Sequence, residues 1–243
     1  MQMKNMLKKT GMVIRMKNNI TIIISCAGSG SRLGLGKPKA LIDILGKPLI
    51  IRQLEALDSY TDIRVVVGYC AEDVISTVQR FRDDVKFVYN NDYKTTGTAA
   101  SFSAALPGAR EYAVALDGDL LVAPDDLKAF LEYNGECVGG CTPTTDDPVL
   151  MSLDENGSVT AFSRERGELE WTGLAKLKTD RLTPGNGHVY QLIEPLMPVH
   201  VMKIDTREID TESDYQRALT WAEKTINQSE ETFSEREKFD KKP

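Results

Sequence analysis

Residues 20–26 read ITIIISC, an almost unbroken run of β-branched apolar side chains. A strand of this kind has no polar face to turn to water, so it belongs inside a sheet that is covered on both sides. The segment behind it narrows the choice again. Ser25-Cys26-Ala27-Gly28-Ser29-Gly30-Ser31-Arg32-Leu33-Gly34-Leu35-Gly36-Lys37-Pro38-Lys39-Ala40-Leu41 combines four glycines with Arg32, Lys37 and Lys39. In an open parallel sheet, ligands bind beyond the carboxyl ends of the strands. Glycines placed there let backbone N–H groups come close to phosphate oxygens, and the cations add charge to the same loop.

The first half of the chain alternates short apolar runs with amphipathic stretches. Strands are expected at Ile20–Cys26, Ile63–Val67, Val85–Tyr89 and Tyr112–Leu116. Helices are expected at Pro48–Leu57, Glu72–Phe81 and Gly97–Leu106. Short connections of this kind need right-handed crossovers and give a parallel sheet covered on both faces. The second half changes character. Val149–Leu153 and Ser158–Phe162 flank Asp154-Glu155-Asn156-Gly157, a hairpin signal. A strand at Trp171–Leu177, a helix at Val189–Leu196, a strand at Val199–Ile204 and a helix at Ser213–Ile226 complete the reading. The expected fold is α/β: three layers, α/β/α, around a mainly parallel mixed sheet, with a small antiparallel element from about residue 147 to 177 over one side. Residues 1–18 form a basic N-terminal extension, 19–227 the domain, and 228–243 a charged tail.

Composition removes several function classes. A net charge of −6 disfavours binding nucleic acid through the overall field. The apolar run 20–24 is too short to span a membrane, and the N-terminus lacks the apolar core of a signal peptide. A cytoplasmic enzyme is expected, with homo-oligomer formation left open. Cys26, Cys70, Cys137 and Cys141 contain no C-x-x-C pair and only two histidines accompany them, which disfavours structural zinc. The glycine loop is not a P-loop, because five residues separate Gly30 from Gly36 and Lys37 precedes Pro38. It is a poor dinucleotide fingerprint too, because Gly34, Gly36 and Pro38 oppose a helix where one should start.

Read as a compound motif, the segment resembles the sugar-phosphate-type nucleotidyltransferases. Their pattern of strand, A-G-x-G-[ST]-R-[LM], spacer, P-K-x-L and G-x-P-L is met by Ala27–Leu33, Pro38–Leu41 and Gly46-Lys47-Pro48-Leu49-Ile50. Gly68-Tyr69, Gly97-Thr98-Ala99-Ala100-Ser101, Asp117-Gly118-Asp119, Glu170–Leu174 and Glu208–Tyr215 continue the resemblance across roughly residues 20–226. The short spacer is similar to that of cytidylyltransferases acting on small acceptors. Glu208 stands where the isoprenoid cytidylyltransferase has a lysine, and the E-I-D form is closer to phosphocholine and phosphonate enzymes.

The resemblance implies a Rossmann-like nucleotidyltransferase fold and a division of roles. Arg32 and Lys39 hold the triphosphate and serve catalysis, with Lys39 facing the α-phosphate. Ala27, Gly28, Ser29, Gly30 and Ser31, with Gly97, Thr98 and Ser101, bind the nucleotide. Asp119 and Asp210 coordinate Mg²⁺. Trp171 and Glu165 are candidates for the acceptor. The implied activity is transfer of CMP from CTP to phosphocholine, an aminoalkylphosphonate or a similar small phosphorylated acceptor, with release of pyrophosphate. A sugar-1-phosphate or inositol-1-phosphate acceptor is the near alternative. A non-catalytic nucleotide sensor is the alternative from another class, and an NAD-binding oxidoreductase is more distant.

Overall fold

The computed structural model describes residues 19–225 except Ser31, Arg32, Leu35 and Asp146; the extension 1–18 and the tail 228–243 lie outside the described residues. In chain order the elements begin with strand β1 (Ile20–Cys26), a 3₁₀ turn at Lys39–Leu41, and the small hairpin β2 (Asp43–Ile44) and β3 (Lys47–Pro48). Helix α1 (Leu49–Ala56), β4 (Ile63–Val67), α2 (Ala71–Phe81), β5 (Lys86–Tyr89), α3 (Thr98–Ala104) and β6 (Tyr112–Asp117) follow. Next come β7 (Leu120–Val122), α4 (Pro124–Glu132), β8 (Cys137–Cys141), β9 (Leu150–Leu153), β10 (Ser158–Ser163) and β11 (Leu169–Lys178). Helix α5 (Val189–Ile193), β12 (Val199–Lys203) and β13 (Thr206–Glu208) precede α6, which covers 212–225.

The nine-stranded sheet has the order β5-β4-β1-β6-β11-β8-β12-β10-β9. The neighbours β5, β4, β1 and β6 are all parallel. Alternate side chains of β1 enter opposite layers, as strand geometry requires. Ile20, Ile22 and Ile24 join a core with Leu54, Val78 and Phe130 from α1, α2 and α4. Ile23 joins the other core, with Phe102 of α3 and Val189 and Ile193 of α5. This is the three-layer α/β/α arrangement expected from the alternation. Helix α6 packs apart, through Ala218, Trp221 and Ala222, on the hairpin residue Ile44 and on Leu121 of β7.

The antiparallel strands differ from the expectation. They are continuous with the main sheet: β11 runs antiparallel between β6 and β8. An extra β9–β11 pairing closes β11, β8, β12, β10 and β9 into a ring. Six elements have no counterpart in the sequence reading: α4, β8 and the short strands β2, β3, β7 and β13. Helix α4 carried ordinary signals, Pro124 in its first turn with Asp125 and Asp126 behind it. Strand β8 is CVGGC, and its glycines conceal it. A Cβ on Gly139 would lie 2.4 Å from Thr172 Oγ1, and one on Gly140 would lie 2.7 Å from Met151 Cε. Glycine is there because neighbouring strands come too close for a side chain, not because the chain turns.

At the amino ends of the parallel strands, the buried Asp62 carboxylate accepts hydrogen bonds from Thr21 Oγ1 (2.5 Å), Lys86 Nζ (2.8 Å) and Arg64 Nη2 (3.2 Å). Arg64 also donates to the carbonyls of Ala105, Pro107 and Gly108. Burial alone would raise the Asp62 pKa, but these donors outweigh it and hold it at about 2, against an ordinary 3.8. A depressed carboxylate stabilises the fold above its unfolded pKa and loses that contribution as the pH falls through the folded one. The shift corresponds to about 2 kcal/mol, complete above about pH 4 and lost toward pH 2. Asp62→Asn is expected to lower unfolding stability at pH 7 by about 2 kcal/mol or more. It should also flatten the dependence of stability on pH between 4 and 2, measured by urea titration at several pH values.

Candidate active site

A cleft of about 700 Å³ opens at the carboxyl ends of the parallel strands. Its floor is assembled from three distant segments. Strand β1 delivers Ser25 to Gly30, and β6 ends at the same level, since Ser25 pairs with Asp117. The Gly118 N–H then donates to Ser25 O (3.0 Å), laying the Asp117-Gly118-Asp119 turn against the end of β1. That turn tolerates no side chain at its centre: a Cβ on Gly118 would stand 2.6 Å from Cys26 Sγ. The third segment arrives through β13, which pairs antiparallel with β7 and sets Glu208 opposite Leu120. The Ile209 N–H donates to Asp119 O (3.1 Å), bringing Asp210 to the same place.

Asp119, Glu208 and Asp210 can each point one oxygen into a group whose members all lie within 4.8 Å of one another. Lys39 Nζ donates to Asp119 Oδ2 (2.8 Å) and also to Asp210 Oδ1. Burial would lower the Lys39 pKa, but Asp119 and Asp210 outweigh it, so the ammonium is held charged. Asp117 lies beside this group. Burial first, and then Asp119, push its carboxyl up to about 8. Burial and the charges of Asp119 and Asp210 likewise push Glu208 up to about 8. Four acidic groups crowd one ammonium here, and a hard cation with oxygen ligands suits such a place.

Neighbouring residues hold this arrangement. Buried Gln53 of α1 donates from Nε2 to the carbonyls of Asp117 (2.9 Å) and Leu120 (2.8 Å), clamping both sides of the acidic turn. Gly173 sits at an irregularity of β11 with φ +80°, and a Cβ there would lie 2.4 Å from Asp117 Oδ2. Asp214 accepts from Thr211 N (2.8 Å), Thr211 Oγ1 (2.8 Å) and Asp210 N (3.3 Å), so it shapes the entry to α6. Burial opposes its charge, but the Thr211 donors and Arg217 lower its pKa.

Ala27, Gly28, Gly30, Gly97, Thr98 and Ser101 line the cleft with Lys39, Asp119 and Asp210; Ser29 is exposed beside them. Ser31 and Arg32 lie outside the described residues. The start of α3 is partly engaged within the protein: Ala99 N donates to Gly187 O, and Thr98 Oγ1 accepts from Val189 N (3.2 Å). Ser101 Oγ accepts from Asn90 Nδ2 (3.0 Å). Trp171 lines the far wall with Tyr190 and His188. Its ring packs edge-on to Phe162 and Tyr190, with centroids 5.9 and 6.0 Å away. Glu165 is exposed in a turn, and Arg164 lines the cleft instead. Glu170, next to Trp171, is buried and accepts from Thr144 N (2.6 Å), Thr145 N (3.3 Å) and both threonine hydroxyls, so it pins the 142–147 loop.

Gln53, Asn90, Tyr190 and the third carboxylate, Glu208, join the site without being candidates from sequence. Gln53 gave a usable signal, a glutamine on the apolar face of α1. Glu208 opens the late motif two residues before Asp210, but only the β7–β13 pairing places it beside Asp119.

Residues 22–178 match the MobA-like NTP transferase domain. The bifunctional protein GlmU of Neisseria meningitidis serogroup C (strain 053442) is 35% identical over 156 residues, covering 62% of this chain and 34% of that protein. The chain thus spans about a third of the length of this curated relative. Among solved structures, CTP:phosphocholine cytidylyltransferase (LicC) from Streptococcus pneumoniae superposes with a TM-score of 0.65 at 18% identity, over 83% of this chain and 98% of that one. The inositol-1-phosphate CTP transferase of T. maritima gives 0.69 at 18% identity, over 82% and 91%. At such identities these two likenesses establish the fold, and the match over residues 22–178, a span that includes the glycine loop and acidic turn that build the cleft, establishes the family: the chain belongs to the MobA-like NTP transferase domains.

Proposed function

We propose that this chain is a Mg²⁺-dependent cytidylyltransferase that moves CMP from CTP to a small phosphorylated acceptor bearing a cationic or amino group. The carrying observation is the juxtaposition of Lys39 with Asp119, Glu208 and Asp210 at the floor of the cleft, beside the Ala27–Gly30 loop. Both substrates are anions, so neutralising and positioning charge dominate the barrier. In the reaction an acceptor phosphate oxygen attacks the α-phosphorus in line. The bond from that phosphorus to the bridging oxygen breaks, and its electrons leave with pyrophosphate.

The donor set fits Mg²⁺, since three carboxylates offer hard oxygen ligands within 4.8 Å. Asp119 and Asp210, with Glu208 beside them, would hold the ion, which when bound supplies charge neutralisation at phosphate oxygens. Lys39 supplies a positive charge toward the α-phosphate. The Ala27–Gly30 backbone receives phosphates and base, as Gly97, Thr98 and Ser101 receive the nucleotide from the opposite wall. Ser31 and Arg32 belong to the same loop, and Arg32 is proposed to hold the triphosphate with Lys39.

The aromatic wall supports a cationic headgroup, because the faces of Trp171 and Tyr190 attract ammonium groups by about 0.5–2 kcal/mol. The carboxylates adjacent to Trp171 in sequence already have partners within the protein. Glu170 is engaged by Thr144 and Thr145, and Glu168 accepts from Leu153 N. Asp147, paired with Arg164, is a second carboxylate on that wall, in addition to Glu170. A sugar-1-phosphate or inositol-1-phosphate acceptor is the second reading. It draws on the likeness to the T. maritima enzyme and on the hydroxyls of Thr96 and Thr145 in the cleft. A nucleotide sensor would have no need of the metal carboxylates.

Pyrophosphate release from four NTPs against a panel of phosphorylated acceptors tests the proposal. CTP with phosphocholine or aminoethylphosphonate is expected to give the strongest signal, abolished by EDTA and restored by Mg²⁺. Full turnover in a rigorously metal-free assay would remove the carboxylate site from the mechanism. Lys39→Ala should lower kcat/KM by roughly 10²-fold, as for loss of a transition-state charge contact; unchanged kinetics in the folded variant would count against its role. Trp171→Leu should raise the acceptor KM and leave the CTP KM nearly unchanged. A preference for glucose-1-phosphate over both amine-bearing acceptors would transfer the assignment to the second reading.

A further inference from the structure

Lys39 occupies an unusual position for a residue that is to meet a phosphate. Its ammonium is hydrogen-bonded to Asp119 and Asp210 together, and these are two of the three carboxylates able to share a cation. The three side chains are only 14%, 21% and 18% exposed, so solvent and salt screen the contact weakly. We infer that Lys39 makes divalent-cation binding contingent on the nucleotide: its ammonium neutralises the metal carboxylates in the free protein, and leaves them only when phosphates in the cleft are there to receive it. The inference rests on the transferase reading and adds an order of binding to it.

The charges and the local backbone both support this coupling. A dication approaching Asp119 and Asp210 meets a resident positive charge and competes with it for the same oxygens. Expelling the ammonium with no anion to accept it would leave a half-buried cation unpaired, which is costly. A nucleoside triphosphate removes both obstacles, because its phosphates pair with the ammonium and with the dication. Only the side chain has to move. The backbone at Lys39 is fixed by Leu41 N–H to Pro38 O (2.9 Å) and Ile42 N–H to Lys39 O (3.0 Å), and Ala40 beside it is buried. The stem lies along the glycine loop, where a Cβ on Gly30 would stand 2.9 Å from Lys39 Cγ. The lysine is thus already threaded past the residues that receive phosphates, and rotation of its flexible stem carries the ammonium from carboxylates to anion. Linkage makes the effect reciprocal: whatever factor the nucleotide adds to cation affinity, the cation adds to nucleotide affinity.

The test uses Mn²⁺ as the probe and the full chain without nucleotide, with free Mn²⁺ measured by electron paramagnetic resonance. Lys39→Met, and Lys39→Gln as a second neutral variant, should bind Mn²⁺ at least about tenfold more tightly than the unmodified protein, the scale of one lost competing charge contact. Lys39→Arg, which keeps the charge, should stay as weak as the unmodified protein. Adding Asp210→Asn to Lys39→Met should abolish the gain. Equal Mn²⁺ affinity in the unmodified protein and both neutral variants would overturn the inference, and would leave the transferase reading standing because no nucleotide is involved. Tight Mn²⁺ binding by the unmodified protein without nucleotide would overturn it as well. Tighter Mn²⁺ binding by the neutral variants, joined with no pyrophosphate release from any NTP, would keep the competition but remove the nucleotide's part in it, and with it the transferase reading.

Discussion

A strand buried on both faces must satisfy its backbone through both edges, and β1 does so by pairing in parallel with β4 and β6. Parallel pairing forces crossover connections, and these place α1 and α2 on one face of the sheet and α3 on the other. It also aligns the carboxyl ends of the strands at one level. The glycine loop after β1, the acidic turn after β6 and Asn90 after β5 therefore open into one cleft. At the opposite end, the same alignment gathers Thr21, Asp62 and Lys86 into the buried ion cluster. The cleft and the buried ion cluster are thus consequences of one packing constraint, separated by the length of the strands.

The active-site end departs from ordinary packing rules in a concentrated way. Asp117, Asp119, Glu208 and Asp210 converge on Lys39, and burial and mutual repulsion drive Asp117 and Glu208 up to about 8. Such crowding is unfavourable in a free-standing fold and is held by specific clamps: Gln53 across the acidic turn, Gly118 against Cys26, and Gly173 beneath Asp117. Strained electrostatics supported by neutral hydrogen bonds is the form expected of the polyanion-handling site proposed above. The far wall follows different physics. Phe162, Trp171 and Tyr190 form an aromatic surface, and Glu170 spends its charge on the 142–147 loop.

Local sequence signals read well wherever one residue's environment is set by its chain neighbours. The alternation from β1 to β6 predicts those elements within a residue or two, and the Asp154–Gly157 turn is found with Asp154 Oδ1 accepting from Asn156 N and Ser158 N. Reading fails where tertiary contact chooses the residue. Strand β8 looks like a glycine-rich link because Gly139 and Gly140 answer to Thr172 and Met151 on other strands. Glu208 reads only as the start of the late motif, whereas the β7–β13 pairing makes it the third of three carboxylates able to share a cation.

The amino-acid sequence by itself determined the layered α/β class, the place of the cleft behind β1, and the residue types that line it, because hydrophobic period and glycine spacing act locally. It also marked Lys39, Asp119 and Asp210 as separate points along the chain. Only the tertiary structure decided that one ammonium is shared between two carboxylates brought from 80 and 171 residues away. It alone decided, too, that Glu170 serves a loop while Trp171 faces the cleft. Interactions across such separations depend on strand order, register and the path of each crossover, and no stretch of sequence encodes these without the rest of the fold around it.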